Sequence, residues 1–431
     1  MGSGLSSKKK PPPVIASCKA PIYSVKRMGP RHLFVAGGGG AAKTGVLNNM
    51  EALLLMFDSK GTFPVTANLT TQFSTGSFAT MNLDLIPYGP PQAGVYRIAA
   101  GHDQYCDIYE TIGFNVDANA TASKNLNLGF KIREVARLTT DERVENAYQK
   151  CVRFDRSRGG QRLATGGSDG HIRIWDIKAL DSNRDPRIRH EPIVDISAHL
   201  SDVDDIDLSQ DGSIVASVGD GKAFLWDTHT GRKIFEVPLP NDFQGKYRVR
   251  SLRFVPHDGN RYVFVVAYNQ IQRTSKSNCY LGLWVFSKER NQEKIIMLRE
   301  IAKQAISSLT VSSCGDYTGV GTLGGSVGIF DTHDLKPLLW NFDTHGIFVT
   351  GLEFIERQAN DIVADDNGKL QKYPGPAASW KVALVSLSAD QTVQLHTVPI
   401  PTATSLADTL FWVSLWTFFI QMLFLFIKAY L

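Results

Sequence analysis

One short stretch of this 431-residue chain has a composition that suggests chemistry, because residues 37–45 read GGGGAAKTG. A loop that cradles phosphates follows the pattern G-x-x-x-x-G-K-[ST], and its second glycine lets the backbone amides turn toward the phosphates. Here Ala42 occupies the position of that second glycine, directly before Lys43 and Thr44. The pattern is broken at a required position, so the sequence argues against an ATP-binding enzyme.

The residues on both sides of this stretch predict strands. HLFVA at 32–36 comes before it, and a turn followed by the apolar run of residues 52–57 comes after it. We therefore expect a strand, an exposed glycine-rich loop and a second strand. Four consecutive glycines carry no side chains, so the backbone of such a loop can approach a partner closely. The alternative is a flexible hairpin loop with no partner.

Two similar segments reveal an internal repeat. Residues 163–177 read LATGGSDGHIRIWDI, and residues 214–228 read IVASVGDGKAFLWDT. Each combines an apolar strand, an Asp-Gly turn and an alternating strand that closes on Trp-Asp, which is typical of the inner hairpin of a WD-repeat propeller blade. We expect Trp175 and Trp226 to pack between blades.

Weaker copies of the pattern begin near His32, Tyr96, Asn278, Tyr317 and Lys381. Together the copies predict an all-β fold, a seven-bladed WD-repeat β-propeller. The charged segment 123–147 interrupts the strand rhythm, and we expect it to connect the second and third blades.

The polar residues of the repeats have structural explanations. We expect His199 and His345 to form hydrogen bonds within a blade, and Asp204 and Asp205 to be turn residues. The sequence suggests no catalytic carboxylate pair, His cluster or G-x-S-x-G elbow, so we predict no catalytic residues and no enzyme activity.

Composition restricts the partners. The formal charge of +4 is too small to favour a nucleic-acid-binding protein, and the basic run at Lys8 to Lys10 precedes three prolines in a predicted flexible tail, residues 1–13. The five cysteines are widely spaced and odd in number, which favours neither a disulfide framework nor a zinc site.

The C-terminal region is apolar, because residues 410–427 contain no charged side chain. We predict a propeller over 14–398, a linker at 399–408, one transmembrane helix at 409–428 and a lumenal tail at 429–431. No apolar signal segment comes before the repeats, so we expect the propeller to stay in the cytosol.

These motifs resemble the prolactin regulatory element-binding protein family, whose members are exchange factors for the Sar-type GTPase of COPII coats at the endoplasmic reticulum. The similarity extends over nearly the whole chain, and the glycine-rich loop is its most specific part. The matching motifs are AGGGGAAKTG at 36–45, ATMNL at 79–83, AAGHDQYC at 99–106, LATGGSDG at 163–170, GTLGGSV at 321–327, AHL at 198–200 and THGIFVT at 344–350.

The resemblance implies a glycine loop that contacts the GTPase and is ordered by potassium, while the propeller itself binds no nucleotide. Backbone carbonyls of Gly38, Gly39 and Gly40, with Asn49 nearby, would bind the ion. We infer that Lys43 meets acidic switch residues or competes with magnesium. The predicted contact residues are Gly37, Gly38, Gly39, Gly40, Ala41, Ala42, Lys43, Thr44, Gly45 and Asn48.

The implied partners are the GTPase and the endoplasmic reticulum membrane, with no nucleic acid. The family name also records a DNA-binding role, which the modest charge and the anchor support poorly. The alternative function is a membrane-tethered WD-repeat scaffold without exchange activity.

Overall fold

The structure is a computed structural model. It describes residues 11–42, 45–57, 64–90, 93–116, 128–143, 145–182, 189–257, 259, 261–272, 277–355, 361–364, 370–373, 380–400 and 406–430. Lys43, Thr44, residues 1–10 of the predicted tail and residues 401–405 of the predicted linker lie outside the described residues. The chain divides into two units between Val398 and Pro399.

The first unit consists of antiparallel four-stranded sheets, each of which is one propeller blade. The first strand, β1 (Val14–Ser17), belongs to the last blade. Blade 1 contains β2 (Ile22–Met28), β3 (His32–Gly37), β4 (Asn49–Phe57) and β5 (Pro64–Ser74). Blade 2 contains β6 (Asn82–Pro87), β7 (Tyr96–His102), β8 (Tyr105–Val116) and β9 (Leu128–Thr139).

Blades 3 and 4 contain the two clearest sequence repeats. Blade 3 contains β10 (Gln149–Phe154), β11 (Arg162–Gly167), β12 (His171–Asp176) and β13 (Val194–Ser197). Short helices flank its strands at Arg156–Arg158 (3-10) and at α1 (Ala179–Ser182). Blade 4 contains β14 (Val203–Leu208), β15 (Ile214–Gly219), β16 (Lys222–Asp227) and β17 (Lys233–Val237).

The remaining blades follow the same order from the first strand to the fourth. A 3-10 turn at Asn241–Phe243 leads to blade 5, which contains β18 (Tyr247–Val255), β19 (Tyr262–Gln270), β20 (Cys279–Ser287) and β21 (Gln292–Ala302). Blade 6 contains β22 (Ile306–Val311), β23 (Tyr317–Thr322), β24 (Val327–Asp331) and β25 (Pro337–Asn341). Blade 7 contains β26 (Val349–Ile355), the separately paired β27 (Asp361–Ala364) and β28 (Leu370–Tyr373), then β29 (Trp380–Ser388) and β30 (Thr392–Pro399).

The ring of blades is closed by strands from both ends of the propeller. The N-terminal strand β1 pairs with β30, with Ser17 opposite Thr392. The innermost strand of each blade contacts that of the next, and β26 contacts β2. The structure thus confirms the predicted seven-bladed propeller.

The core lies between the blades. The buried apolar side chains of the described residues form seven clusters, one for each pair of neighbouring blades. Trp175 packs with Ile86 of blade 2, and Trp226 packs with Ala164 of blade 3. The prediction that both tryptophans pack between blades is confirmed.

Each of two histidines joins the connection that precedes a blade to the second strand of that blade. His199 Nε2 lies 2.8 Å from Ser217 Oγ, which also accepts a hydrogen bond from Trp226 Nε1 at 2.9 Å. His345 Nε2 lies 2.7 Å from Ser386 Oγ. Their predicted structural role is confirmed.

Two sequence interpretations are wrong. Residues 128–139 form β9 rather than a connection, because apolar Phe130 and Leu138 face the core while charged Lys131 and Arg133 face away from it. Asp204 and Asp205 lie on the innermost strand β14 rather than in a turn. The Asp205 carboxylate is buried and accepts a hydrogen bond from an arginine of blade 5.

The second unit is one helix, α2 (Leu406–Tyr430), which extends beyond the predicted span at both ends. Leu410–Lys428 has a mean hydropathy of 2.1, and none of it is buried in protein. At about 1.5 Å per residue these residues measure about 28 Å, close to the thickness of a bilayer core. The helix is long and apolar enough to cross a membrane.

Candidate functional site

The candidate site is the glycine loop, residues 38–48, which joins β3 to β4 in blade 1. Strand pairing ends at Gly37 opposite Asn49, so the chain leaves one strand and enters the next across this loop. The predicted order of strand, loop and strand is confirmed. A phosphate-binding loop would instead open a helix, and β4 is a strand.

The base of the loop is closely packed and requires glycine. A Cβ atom on Gly37 would collide with the Pro21 carbonyl oxygen, and it would lie 2.9 Å from Ile22 Cα. Gly38 has φ of +140°, and a Cβ atom there would collide with the Asn48 side chain. The Gly38 amide donates to the Pro21 carbonyl at 3.0 Å. These glycines therefore fix the start of the loop against blade 1.

Asn48 holds the loop from inside. Its Oδ1 accepts a hydrogen bond from Gly40 N at 2.9 Å, and its Nδ2 donates to Gly40 O at 3.1 Å. The same Nδ2 donates to Gly76 O at 3.0 Å. The Asn48 residue is only 7% exposed. Breaking these bonds would leave buried polar atoms unsatisfied, so they fix the conformation of the loop at Gly40.

The outer part of the loop is open. Gly40 and Gly45 have φ of +73° and +79°, and no atom lies within 4 Å of a Cβ built on either. Ala41 and Ala42 are exposed, and Leu47 is 58% exposed. Lys43 and Thr44 lie between these exposed residues in sequence. The described part of the loop thus combines a fixed base with an accessible outer segment.

The predicted potassium site has donors of a suitable kind. Potassium prefers uncharged oxygen ligands such as backbone carbonyls. The Gly40 carbonyl accepts one hydrogen bond from Asn48, and a carbonyl has a second lone pair for a cation. Asn49 lies on β4 between Gly37 and Ser74 in the sheet. Potassium binding by Gly38, Gly39, Gly40 and Asn49 stays a prediction.

The glycine loop lies on one particular face of the propeller, which we call the loop face. This face holds the turns between the second and third strands of the blades and the connections between blades. Large exposed apolar side chains collect on it: Leu47, Met81, Leu200, Ile271, Leu323, Phe342, Ile347 and Phe348. Leu200 is 99% exposed and Phe342 is 74% exposed.

On the opposite face, the described connections of the propeller expose one such side chain, Ile193. Exposed apolar residues gathered on one face indicate a binding surface. The loop face is therefore the candidate docking surface.

Sequence reasoning selected Asn48 but missed its supporting residues. Thr75 N donates to the Asn48 carbonyl at 3.0 Å, and Gly76 accepts from the Asn48 amide. The segment STGS at 74–77 is a recognisable turn signal, and Gly76 has φ of +67°. That signal predicts a turn, but it does not reveal that the turn lies beneath the glycine loop.

Comparison with known proteins agrees with this architecture. Residues 149–176 and 190–227 match the family described as "WD40: WD domain, G-beta repeat". These matches cover blade 3 and most of blade 4.

Curated relatives match a larger share of the chain. Guanine nucleotide-exchange factor SEC12 of Rattus norvegicus is 30% identical over 411 residues, which are 88% of this chain and 89% of the relative. The Mus musculus protein of the same name is 28% identical over the same shares. SEC12-like protein 1 of Arabidopsis thaliana is 25% identical over 68% of this chain and 64% of its own length. The chain belongs to the SEC12 guanine nucleotide-exchange factor family.

Proposed function

We propose that this protein is a guanine nucleotide-exchange factor that activates a Sar-type small GTPase at the endoplasmic reticulum membrane. Activation there would start COPII vesicle formation and transport to the Golgi. The relatives named as exchange factors match over 88% of this chain and 89% of their own length, which supports a shared function.

The observation that carries the proposal is the construction of the loop face. The glycine loop is fixed at its base by Asn48, while Gly40 and Gly45 face open space. Exposed apolar side chains, including Leu47 and Phe342, lie on the same face. A rigid element beside apolar surface can insert into a partner without a large loss of conformational entropy.

Exchange of this kind requires binding alone and breaks no covalent bond. The loop face would bind the nucleotide-free GTPase more tightly than the nucleotide-bound form. By linkage, the bound exchange factor then weakens nucleotide binding by the same factor, so GDP leaves and GTP replaces it.

Within the loop, each part would have its own task. Residues Gly37 to Gly45 would contact the GTPase, with Asn48 keeping them in place. Lys43 would place its ammonium group against acidic switch residues or in competition with magnesium. The backbone carbonyl groups of residues 38–40 would hold a potassium ion, whose positive charge would offset the repulsion between these carbonyl dipoles.

The apolar helix would anchor the protein in the membrane as a single span, with the propeller in the cytosol. Tethering an exchange factor confines activation of its GTPase to that membrane. The absence of charge between residues 410 and 427 supports a span at this position.

Binding of the two nucleotide states tests the proposal against the scaffold alternative. The full chain in detergent is titrated with a Sar-type GTPase that is either GDP-bound or stripped of nucleotide. We expect at least about tenfold tighter binding to the stripped form, which is about 1.4 kcal/mol of coupling. Equal affinity for both states would favour the scaffold.

A further inference from the structure

We propose that Thr80, His102, Asp107 and Arg137 position the glycine loop from blade 2, a role that rests on the exchange activity proposed above. All four lie outside the glycine loop. Thr80 belongs to the connector, which we define as residues 75–81 between β5 and β6. The other three residues act on the loop through this connector. All four are positioning residues, because they reach the loop through other groups.

The connector supports the base of the glycine loop. Thr75 N donates to the Asn48 carbonyl at 3.0 Å, and the Gly76 carbonyl accepts from Asn48 Nδ2 at 3.0 Å. At its other end, Thr80 N donates to the Gly37 carbonyl at 3.5 Å. A shift of the connector would therefore move the partners of Asn48.

Blade 2 holds this connector in turn. Thr80 Oγ1 lies 2.8 Å from His102 Nε2, and both side chains are fully buried. The Phe78 ring stacks on the His102 ring with a centroid distance of 5.8 Å. Thr75 Oγ1 donates to the Phe78 carbonyl at 2.6 Å, which joins the two halves of the connector.

The buried carboxylate of Asp107 fixes the orientation of the histidine. His102 Nδ1 lies 2.8 Å from Asp107 Oδ2, so the ring presents Nε2 to Thr80. Arg137 donates to both carboxylate oxygens of Asp107, at 2.6 and 2.7 Å. Burial alone would raise the pKa of Asp107, but the hydrogen bonds from Arg137 and His102 outweigh burial and lower it. Asp107 is therefore a charged acceptor at neutral pH.

Blade 2 reverses the arrangement found in other blades. In blades 4 and 7 the connection supplies the histidine, His199 or His345, and the second strand supplies a serine. In blade 2 the connector supplies the hydroxyl of Thr80, and the second strand β7 ends with His102. The reversal ties the connector to the ion pair formed by the buried Asp107 carboxylate and the partly exposed Arg137.

The reversed arrangement offers a matched pair of variants. Thr80→Val removes the hydroxyl that faces His102 and keeps the side-chain shape. Ser217→Ala removes the hydroxyl that faces His199 in blade 4, where the distance is also 2.8 Å. Ser217→Ala loses two buried hydrogen bonds, because Trp226 Nε1 also donates to this hydroxyl, so it is at least as disruptive a change as Thr80→Val. Only Thr80 belongs to the connector.

Hydrogen exchange of the full chain in detergent measures the effect directly. We expect Thr80→Val to speed amide exchange in residues 37–48 by about tenfold and Ser217→Ala to leave it unchanged. Catalysed GDP release from a Sar-type GTPase should fall by about threefold or more in Thr80→Val alone.

Unchanged protection of residues 37–48 in Thr80→Val, or an equal loss in both variants, would overturn the inference. If Thr80→Val does not fold, Arg137→Lys provides the test, because this side chain is 36% exposed and lysine loses the paired contact with Asp107. Unchanged protection of residues 37–48 in Arg137→Lys, or an equal loss of protection in Arg137→Lys and Ser217→Ala, would then overturn the inference. If the wild-type chain does not accelerate GDP release from the GTPase, the proposed function is wrong, while the hydrogen exchange comparison still decides the positioning role.

Discussion

Asn48 and Gly40 are joined twice by a single side-chain amide, because Asn48 Oδ1 accepts from Gly40 N at 2.9 Å and Nδ2 donates to Gly40 O at 3.1 Å. A glycine whose Cβ position faces open space is thereby held in one conformation. Asn269 of blade 5 makes the same double contact with the backbone of Ile306 in blade 6, at 2.8 and 2.9 Å.

This pair of asparagines gives a controlled test of the glycine loop. Asn48→Asp and Asn269→Asp keep the side-chain oxygen that accepts a hydrogen bond. They replace the amide nitrogen that donates with a second oxygen, which then faces a backbone carbonyl oxygen. Both variants should lose about 1–3 kcal/mol of unfolding free energy, measured by denaturation. Only Asn48→Asp should lower catalysed GDP release, by about tenfold. Equal release rates in the two variants would show that the loop conformation does not matter.

Backbone strain at Gly40 in the glycine loop should also slow catalysed GDP release. Gly40 and Gly159 have φ of +73° and +59° with open space around them, but Gly159 lies on the opposite face of the propeller. Valine at either position is disfavoured by about 1–2 kcal/mol. We expect Gly40→Val to slow catalysed GDP release about tenfold and Gly159→Val to leave it unchanged, at similar melting temperatures. A wild-type rate in Gly40→Val would indicate a passive linker.

The apolar residues of the loop face should contribute to GTPase affinity. Phe342→Ser removes an exposed ring on this face, and Ile193→Ser removes an exposed side chain on the other. We expect Phe342→Ser to weaken GTPase binding by about fivefold to tenfold, because a desolvated aromatic contact contributes about 1 kcal/mol or more. Ile193→Ser should bind normally. Titration calorimetry measures both, and equal affinities would place the docking surface elsewhere.

Potassium should support exchange through the glycine loop. Lithium is smaller and more strongly hydrated, so it does not replace potassium among carbonyl oxygens. Exchanging potassium for lithium at constant ionic strength should slow catalysed GDP release by about threefold in the wild type and hardly at all in Gly40→Val. Intrinsic release from the GTPase alone serves as the control. An equal lithium effect in both proteins would contradict a cation site in this loop.

Buried histidines should make the propeller less stable in acid. Burial lowers the pKa of His396 to about 3 and that of His199 to about 4. An unfolded histidine has a pKa near 6.5. Between pH 6.5 and the lower pKa of each folded histidine, the unfolded state therefore binds a proton that the folded state does not. This contribution to stability is therefore complete above about pH 6.5 and is lost as the pH falls toward 4 and then 3.

Below pH 6.5, each such histidine lowers the free energy of unfolding by about 1.4 kcal/mol per pH unit. Denaturation at pH 7, 6 and 5 should show this decrease in unfolding free energy. His396→Gln removes one of the histidines that the unfolded state protonates, so the decrease per pH unit should be smaller in this variant. An unchanged slope in His396→Gln would show that this histidine does not control acid sensitivity.

Local signals made the blades predictable. In residues 163–177 and 214–228, alternating strands and Asp-Gly turns lie within one hairpin, so neighbouring residues determine the structure. Gly170 and Gly221 have φ of +81° and +75°, as these turns require. The glycine loop was predictable for the same reason, because its flanking strands are adjacent in sequence.

Contacts between blades were not predictable from local patterns. Asn48 reaches Gly76, and Thr80 reaches His102, because adjacent blades bring separate turns together. Strand β9 was missed because a bulge interrupts its alternation, leaving Arg133 and Glu134 both exposed and Val135 and Ala136 both buried. Asp205 was misplaced because a buried carboxylate on an inner strand requires an arginine from another blade, here Arg253.

The rate of GDP release distinguishes an exchange factor from a tethered scaffold. Tryptophan fluorescence of a GDP-loaded Sar-type GTPase is followed in excess GTP, with and without the full chain, and with Asn48→Asp and Asn269→Asp as matched variants. We expect the wild type and Asn269→Asp to accelerate release by at least about tenfold over the GTPase alone, and Asn48→Asp to lose most of that acceleration. Release at the intrinsic rate in the presence of the folded wild-type chain would contradict an exchange factor and favour a tethered scaffold.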